Sequence, residues 1–306
     1  MFPPGPRSPP LVFFPPALAQ VGGALMTRIR GSVCGEFTVG AFPNGELTVK
    51  VVSTVEDHDV IVVATLTPPA ERFIHTLYLI DTLQRCGARS IELVVPYLAY
   101  ARHDRGDPGV GQMFFFLGRL LFTAGVQRVT ALDIHHPEAL VDFEVELDSL
   151  PAAALFAARL RGTPFEHATI VAPDKGARAR AQALARELGI QTPVVHGQKR
   201  RSPDGVTTEF PPWSGSWAVI VDDILDTGGT MLAAAQFLRE SGAEHTIICV
   251  THALLTGTRW AALWDLGVER IYTTDSVGSG VIPADKRIEI IPCSASIAES
   301  VAPRFE

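Results

Sequence analysis

Residues 219–230, VIVDDILDTGGT, combine residue types that together can hold an anion. A β-branched apolar run delivers Asp222 and Asp223, then Asp226, Thr227, Gly228, Gly229 and Thr230, and a helix-forming stretch follows. Two adjacent glycines let the backbone approach a ligand closely and turn N–H groups toward it. Thr227 and Thr230 add hydroxyl donors, and a helix starting here adds the positive end of its dipole. That set suits one phosphate. Asp222 and Asp223 would repel it, so their chemistry differs: carboxylates at this place suit sugar hydroxyls, or magnesium through water. A helix cap followed by a turn also uses Asp and Thr, but it requires neither the two further acids nor the paired glycines.

Other polar clusters sit where apolar runs end. PYLAYARHDR (96–105) presents Arg102, His103 and Asp104, DIHHPEALVDF (133–143) presents Asp133 and His135, and VAPDKGARARA (171–181) presents Asp174 and Gly176. HGQKRRSPDG (196–205) holds a basic triplet, Lys199, Arg200 and Arg201, inside a long polar segment that runs to Pro211-Pro212. FPNGE (42–46) places Phe42, Asn44, Gly45 and Glu46 before the strand-like ELTVKVV. Taken singly these admit plain readings: an Asn-Gly turn, a solvated surface charge cluster, a structural histidine.

The elements that must position these residues recur. CGARSIELVVPY, AGVQRVTALDIH, SGAEHTIICVTH and LGVERIYTTDSV each run from a helix end through Gly87, Gly125, Gly242 or Gly267 into an apolar strand. The glycine suits a left-handed helix terminus, and the apolar run suits a strand buried on both faces. In each, the tenth residue after the glycine is expected just past the strand. Further strands are expected at LVFF after Leu11 and at 59–66, 168–173, 192–197 and 217–223; helices are expected at 70–86, 111–124, 151–161, 176–188 and 229–241. Helix and strand in alternation imply parallel sheets with helical crossovers. A length of 306 residues suits two units of about 150 each. The expected fold class is α/β, with two tandem doubly wound parallel-sheet domains. Residues 1–10 form a disordered Pro-rich lead, 11–150 the first domain and 151–306 the second, and an internal duplication is the favoured origin. The polar segment 198–216 reads as a mobile loop.

Composition narrows the function classes. A net charge of −7 argues against a general nucleic-acid binder. No apolar run reaches the ~18 residues of a membrane span. The four cysteines, Cys34, Cys86, Cys249 and Cys293, lack zinc or C-x-x-C spacing and read as buried free thiols in a reducing cytoplasm.

The 219–230 segment resembles the phosphoribosyl diphosphate signature shared by type I phosphoribosyltransferases and ribose-phosphate pyrophosphokinases. The other clusters resemble segments of the pyrophosphokinase family, and the resemblance spans roughly residues 11–300. It implies transfer of the diphosphate of MgATP to the anomeric hydroxyl of ribose 5-phosphate, with type I phosphoribosyltransferase-like domains. It implies ATP binding by Phe42, Asn44, Gly45, Glu46, Arg102, His103 and Asp104. Ribose 5-phosphate falls to Asp222, Asp223, Asp226, Thr227, Gly228, Gly229 and Thr230, magnesium (Mg2+) to His135, Asp174 and Asp133, and catalysis on a flap to Lys199 and Arg201. An alternative spacing puts Arg200 in place of Arg201. Glu138, Asp142, Ala177 and Gln198 depart from the family pattern. The resemblance further implies a cytoplasmic homo-oligomer, at least a dimer, acting in nucleotide biosynthesis. A type I phosphoribosyltransferase, or a catalytically inactive regulatory relative, stays open at this point.

Overall fold

A computed structural model describes residues 8–102, 109–135, 142–202, 205–278 and 280–306, with the backbone alone over 199–202 and 205–207. The chain divides into two units, one running to Leu150 and taking up Cys293–Glu306, the other Pro151–Pro292.

In the first unit the elements run β1 (Leu11–Phe13), α1 (Ala19–Arg28), β2 (Val33–Cys34), β3 (Phe37–Ala41), β4 (Leu47–Val51), β5 (Asp59–Val63), α2 (Ala70–Arg85), β6 (Ser90–Val94), α3 (Met113–Ala124), β7 (Arg128–Leu132) and β8 (Glu146–Leu150). Its sheet is six-stranded among the described residues, in the order β2-β1-β5-β6-β7-β8, and every pairing is parallel. The second unit runs α4 (Ala153–Leu160), β9 (Thr169–Ala172), α5 (Arg178–Leu188), β10 (Val195–His196), β11 (Gln198–Ser202), β12 (Gly205–Glu209), β13 (Trp217–Leu225), α6 (Gly229–Glu240), β14 (His245–Ala253), β15 (Val268–Thr274) and β16 (Ile288–Ile291). Its sheet order is β10-β9-β13-β14-β15-β16, again all parallel. The last helix, α7 (Ser294–Val301), belongs to the first unit.

The two strand orders are the same once renumbered within each unit, and each unit carries an antiparallel hairpin (β3–β4, β11–β12) between its second and third sheet strands. In both, the order reverses at the first strand, which sends right-handed crossovers to opposite faces and opens a crevice at the carboxyl ends of the strands flanking the reversal. The sheet cores are continuous apolar runs: Val60, Ile61 and Val62 in the first unit and Ala218, Val219 and Ile220 in the second are fully buried. Burying one such Val or Ile stabilises the fold by about 1.5–3 kcal/mol. Gly87, Gly125, Gly242 and Gly267 all adopt positive φ, as the repeated unit requires.

Several expectations are corrected. Cys293–Glu306 packs with the first unit, not with the second as the 151–306 boundary has it. Arg304 explains why: its guanidinium donates to Glu92, to Thr130 Oγ1 at 3.1 Å and to Asp148 at 2.7 Å. Burial raises the pKa of the Glu92 carboxyl, and Arg304 and a hydrogen bond from Thr130 oppose that rise. Pro9 and Pro10 are not loose: their carbonyls accept from His58 Nδ1 at 2.8 Å and from the Val33 amide at 2.9 Å. Within the polar segment after residue 197, Gln198–Ser202 and Gly205–Glu209 pair as a hairpin, while residues 210–216 are the loop expected there. The strand expected over 192–197 is only Val195–His196, and the helix expected before Gly267 is a 3-10 turn, Arg259–Leu263. His252 lies inside β14, not beyond it. Cys34 and Cys86 are exposed, and only Cys249 and Cys293 are buried.

Candidate active site

The second unit brings residues 219–230 to the crevice. β13 pairs with β9 on one side and β14 on the other, so its carboxyl end lies at the order reversal. There Asp226-Thr227-Gly228 turns the chain into α6. Gly228 has φ +89°, and a Cβ on it would lie 2.8 Å from Trp260 Cα and 3.3 Å from Trp260 N. Both facts require glycine: the left-handed region disfavours a side chain, and the backbone of the 259–263 turn occupies the space. The N-cap of α6 is Gly228, which has no side chain to cap it, and no acid lies in the helix's first turn. Its leading N–H groups are therefore donors that the helix itself does not satisfy. Thr227 is exposed and Thr230 half-buried at the same end.

Behind this cradle stands an acidic cluster. Asp222 is half-buried, and its Oδ1 accepts the Asp223 amide at 2.9 Å. Its carboxyl pKa is pushed well up by burial, then by the Asp223 and Asp174 charges, with Arg180 opposing. Asp223 is 2 % exposed, and Arg180 reaches it at 3.3 Å. Asp174 follows β9, and its Oδ1 accepts the amides of Gly176 at 2.9 Å and Ala177 at 3.2 Å, which closes the turn leading into α5. Carboxylates crowded at the end of a parallel sheet offer hard oxygens to a divalent cation, which relieves their mutual repulsion. No trio of His, Cys, Asp or Glu among the described residues forms a cation cage. Magnesium commonly keeps waters and substrate phosphates around one or two carboxylates.

The hairpin β11–β12 rises beside Asp174. Gly197 joins it to β10, where an added Cβ would lie 2.5 Å from the Pro173 carbonyl oxygen and 2.6 Å from Thr208 Cγ2. In the hairpin register Lys199 stands opposite Thr208, Arg200 opposite Thr207 and Arg201 opposite Val206. A strand's period of two puts positions 199 and 201 on one face and position 200 on the other.

The remaining candidates lie in the first unit. Residues 42–46 form the tip of β3–β4, closed by Phe42 N–H to Glu46 O and Gly45 N–H to Phe42 O, each 2.8 Å, with Gly45 at φ +88°. Asn44 Oδ1 accepts the Glu46 amide at 3.2 Å, and Phe42 is 57 % exposed. Arg102 is exposed at the end of a buried anchor, Tyr97–Ala101, within which Tyr100 takes φ +70°. His103 and Asp104, with Glu138, lie outside the described residues. Asp133 and His135 are half-buried just past β7; the Asp133 amide donates to Leu150 O at 2.9 Å and the Ile134 amide to Ser149 Oγ at 3.0 Å.

Two residues escaped the sequence reading. Arg180 sits in the VAPDKGARARA segment, whose resemblance to the family includes this arginine without implying a role for it. Arg259, beside Gly229, gave no signal, because no local pattern links it to the cradle.

Two family models match the chain: "N-terminal domain of ribose phosphate pyrophosphokinase" over residues 21–113 and "Phosphoribosyl transferase domain" over residues 147–272. The chain is 32% identical over 278 residues to a ribose-phosphate pyrophosphokinase of Thermosipho africanus, covering 89% of this chain and 87% of that one. It is 31% identical over 292 residues to the enzyme of the same name from Bacillus caldolyticus, covering 92% and 90%. Among solved structures, phosphoribosylpyrophosphate synthetase from Mycobacterium smegmatis matches with a TM-score of 0.84 over 97% of this chain and 99% of that one; at 24% identity this is a likeness of fold.

Proposed function

The chain belongs to the ribose-phosphate pyrophosphokinase family and is an enzyme of that activity, and we propose the following division of labour among its residues. The reaction is displacement at the β-phosphorus of ATP by the anomeric hydroxyl of ribose 5-phosphate, with AMP leaving. The observation that carries the assignment is the cradle at the end of β13: a helix start whose N-cap is a glycine, Gly228 locked against Trp260, and acids immediately before it. Asp226, Thr227, Gly228, Gly229 and Thr230 hold the 5-phosphate, and Asp222 and Asp223 hold ribose hydroxyls.

Phe42 stacks on the adenine while Asn44 and Gly45 shape the turn and Glu46 accepts from the amino group. Arg102 lies along the ATP phosphates with its planar fork, in company with His103 and Asp104. Asp174, His135 and Asp133 hold magnesium, which when bound neutralises phosphate charge. Lys199 and Arg201, on one face of the hairpin, stabilise the diphosphate as it transfers. Little covalent work falls to the protein; positioning and charge neutralisation dominate. Closure of the hairpin excludes water and limits hydrolysis.

The exposed Phe42 fits a base site completed by a second copy of the chain, so the working form is a homo-oligomer. Among the described residues no helix is long and apolar enough to cross a membrane, and the proposed compartment is the cytoplasm.

Purified protein mixed with ATP, magnesium and ribose 5-phosphate is expected to yield AMP and phosphoribosyl diphosphate in equal amounts by mass spectrometry. Absence of both products, or ADP in place of AMP, overturns the reading.

A further inference from the structure

The 3-10 turn Arg259–Leu263 is more than a wall behind the cradle. Its backbone at Trp260 fills the place of a Gly228 side chain, which leaves the preceding residue against the start of α6. A Cβ built on Gly229 would lie 3.7 Å from Arg259 Nη1 and 4.0 Å from its Cζ. The guanidinium therefore stands next to the first residue of the helix whose N–H groups face the cradle. Arg259 is exposed, and among the described residues it has no hydrogen-bond, ion-pair or ring partner.

That is an electrostatically poor place for a lone cation. A helix N-terminus carries about half a positive charge and favours anions. No acid in the first turn of α6 offsets it. The corresponding place in the first unit is arranged differently: after β5, the Arg72 guanidinium donates to Thr67 Oγ1 at 3.1 Å and to Pro68 O at 3.0 Å, so the cation is satisfied by its own loop. At the start of α6 two positive groups lie side by side, and an anion between them relieves both.

We infer that Arg259 is a further ribose 5-phosphate-positioning residue, which supplies a guanidinium to the 5-phosphate from outside the Asp226–Thr230 loop. The inference rests on the assignment of that loop to the 5-phosphate. It places part of the sugar-phosphate affinity on a residue outside the signature segment.

The test is calorimetric titration of the full chain with ribose 5-phosphate, comparing Arg259→Ala, Arg259→Lys and Thr230→Ala. Arg259→Ala is expected to weaken ribose 5-phosphate binding about five-fold, the scale of one charge interaction at ~4 Å in a wet site. The KM for ribose 5-phosphate should rise in parallel while the KM for ATP holds. Arg259→Lys should recover most of the loss, and the gap between Arg and Ala should narrow as salt is raised; a merely structural arginine would show neither. If Thr230→Ala weakens binding and Arg259→Ala does not, the inference fails and the loop assignment stands. If neither weakens it, the loop assignment fails too. Equal losses for ATP and ribose 5-phosphate in Arg259→Ala would also overturn the inference.

Discussion

The third sheet strand of each unit leads into a helix through a short loop, and the two loops do opposite things. After β13 the chain reads Asp226-Thr227-Gly228-Gly229-Thr230; after β5 it reads Ala64-Thr65-Leu66-Thr67-Pro68-Pro69. Glycine pairs expose N–H groups, whereas prolines have none to offer. The first loop is closed internally, with Thr67 and Pro68 bonded to Arg72 and Glu71 in the first turn of α2 offsetting the dipole. In the second, the N-cap of α6 is a glycine and no acid lies in the helix's first turn, and among the described residues Arg259 beside it has no partner. The same topology thus gives one crevice able to take a phosphate and one that is sealed. The hairpins diverge likewise: β3–β4 presents an aromatic tip, and β11–β12 carries a basic triplet along its strand. The shared topology supplies the frame, and the loops decide which unit performs which part.

This contrast can be broken in graded steps. The largest effect is expected from Lys199→Ala, which removes a charge from the second hairpin only: kcat should fall about 10²–10⁴-fold with the KM for ATP little changed. Arg201→Ala should follow it and Arg200→Ala should not, since period-two alternation separates them. Steady-state kinetics on the three variants decides the register, and an Arg200 variant losing more than Arg201 reverses it.

Gly228→Ala comes next. It forces a side chain into the left-handed region and against the Trp260 backbone, at a combined cost of about 2–4 kcal/mol. Lowered thermal stability together with at least about tenfold weaker ribose 5-phosphate binding is expected, by melting and calorimetry. Retained affinity would mean that the loop does not hold the phosphate.

Arg72→Ala tests the sealed loop. Its hydrogen bonds are partly exposed, so a loss of about 1 kcal/mol in urea unfolding is expected, with ribose 5-phosphate affinity unchanged. A change in that affinity would show that the first crevice also takes the sugar phosphate.

The smallest effect belongs to Gly229→Ala. Its φ is ordinary, and the nearest atom to an added Cβ is Arg259 Nη1, in normal contact. Stability should stay within about 0.5 kcal/mol of wild type, as changes without strain usually do, so any loss of ribose 5-phosphate affinity reports crowding of the ligand itself. Neighbouring glycines with opposite outcomes would sharpen the assignment of Gly228.

Much of this was legible from sequence where the signal is local. Gly87, Gly125, Gly242 and Gly267 announce helix ends because a left-handed residue is needed there. The strands around β13 announce themselves because a parallel sheet buried on both faces must be apolar throughout. The cradle is legible because its donors are contiguous in the chain. The β11–β12 hairpin was not, since Gln198–Ser202 and Gly205–Glu209 show no apolar alternation. Helix α1 was hidden by Gly22 and Gly23, which weaken helix propensity; packing on the first unit overrides it. Arg259 and Arg304 were illegible for a shared reason: each matters through a neighbour distant in sequence, and nothing local records the pairing.

The Arg304 contact bears on how separable the two halves are. Because Cys293–Glu306 completes the first unit, the gene cannot be cut at residue 150 into two self-sufficient modules, despite the matching topologies. A fragment ending at Leu150 keeps the buried Glu92 and loses the guanidinium that faces it, a change of about 3–5 kcal/mol when one partner of a buried pair is removed. Such a fragment should be poorly folded alone and should gain structure when a synthetic peptide of residues 293–306 is added, which circular dichroism can follow. The Pro151–Pro292 fragment keeps its six-stranded sheet entire and is expected to fold unaided. The chain is therefore a modular repeat in topology and a single threaded piece in assembly, its end stitched back to its beginning.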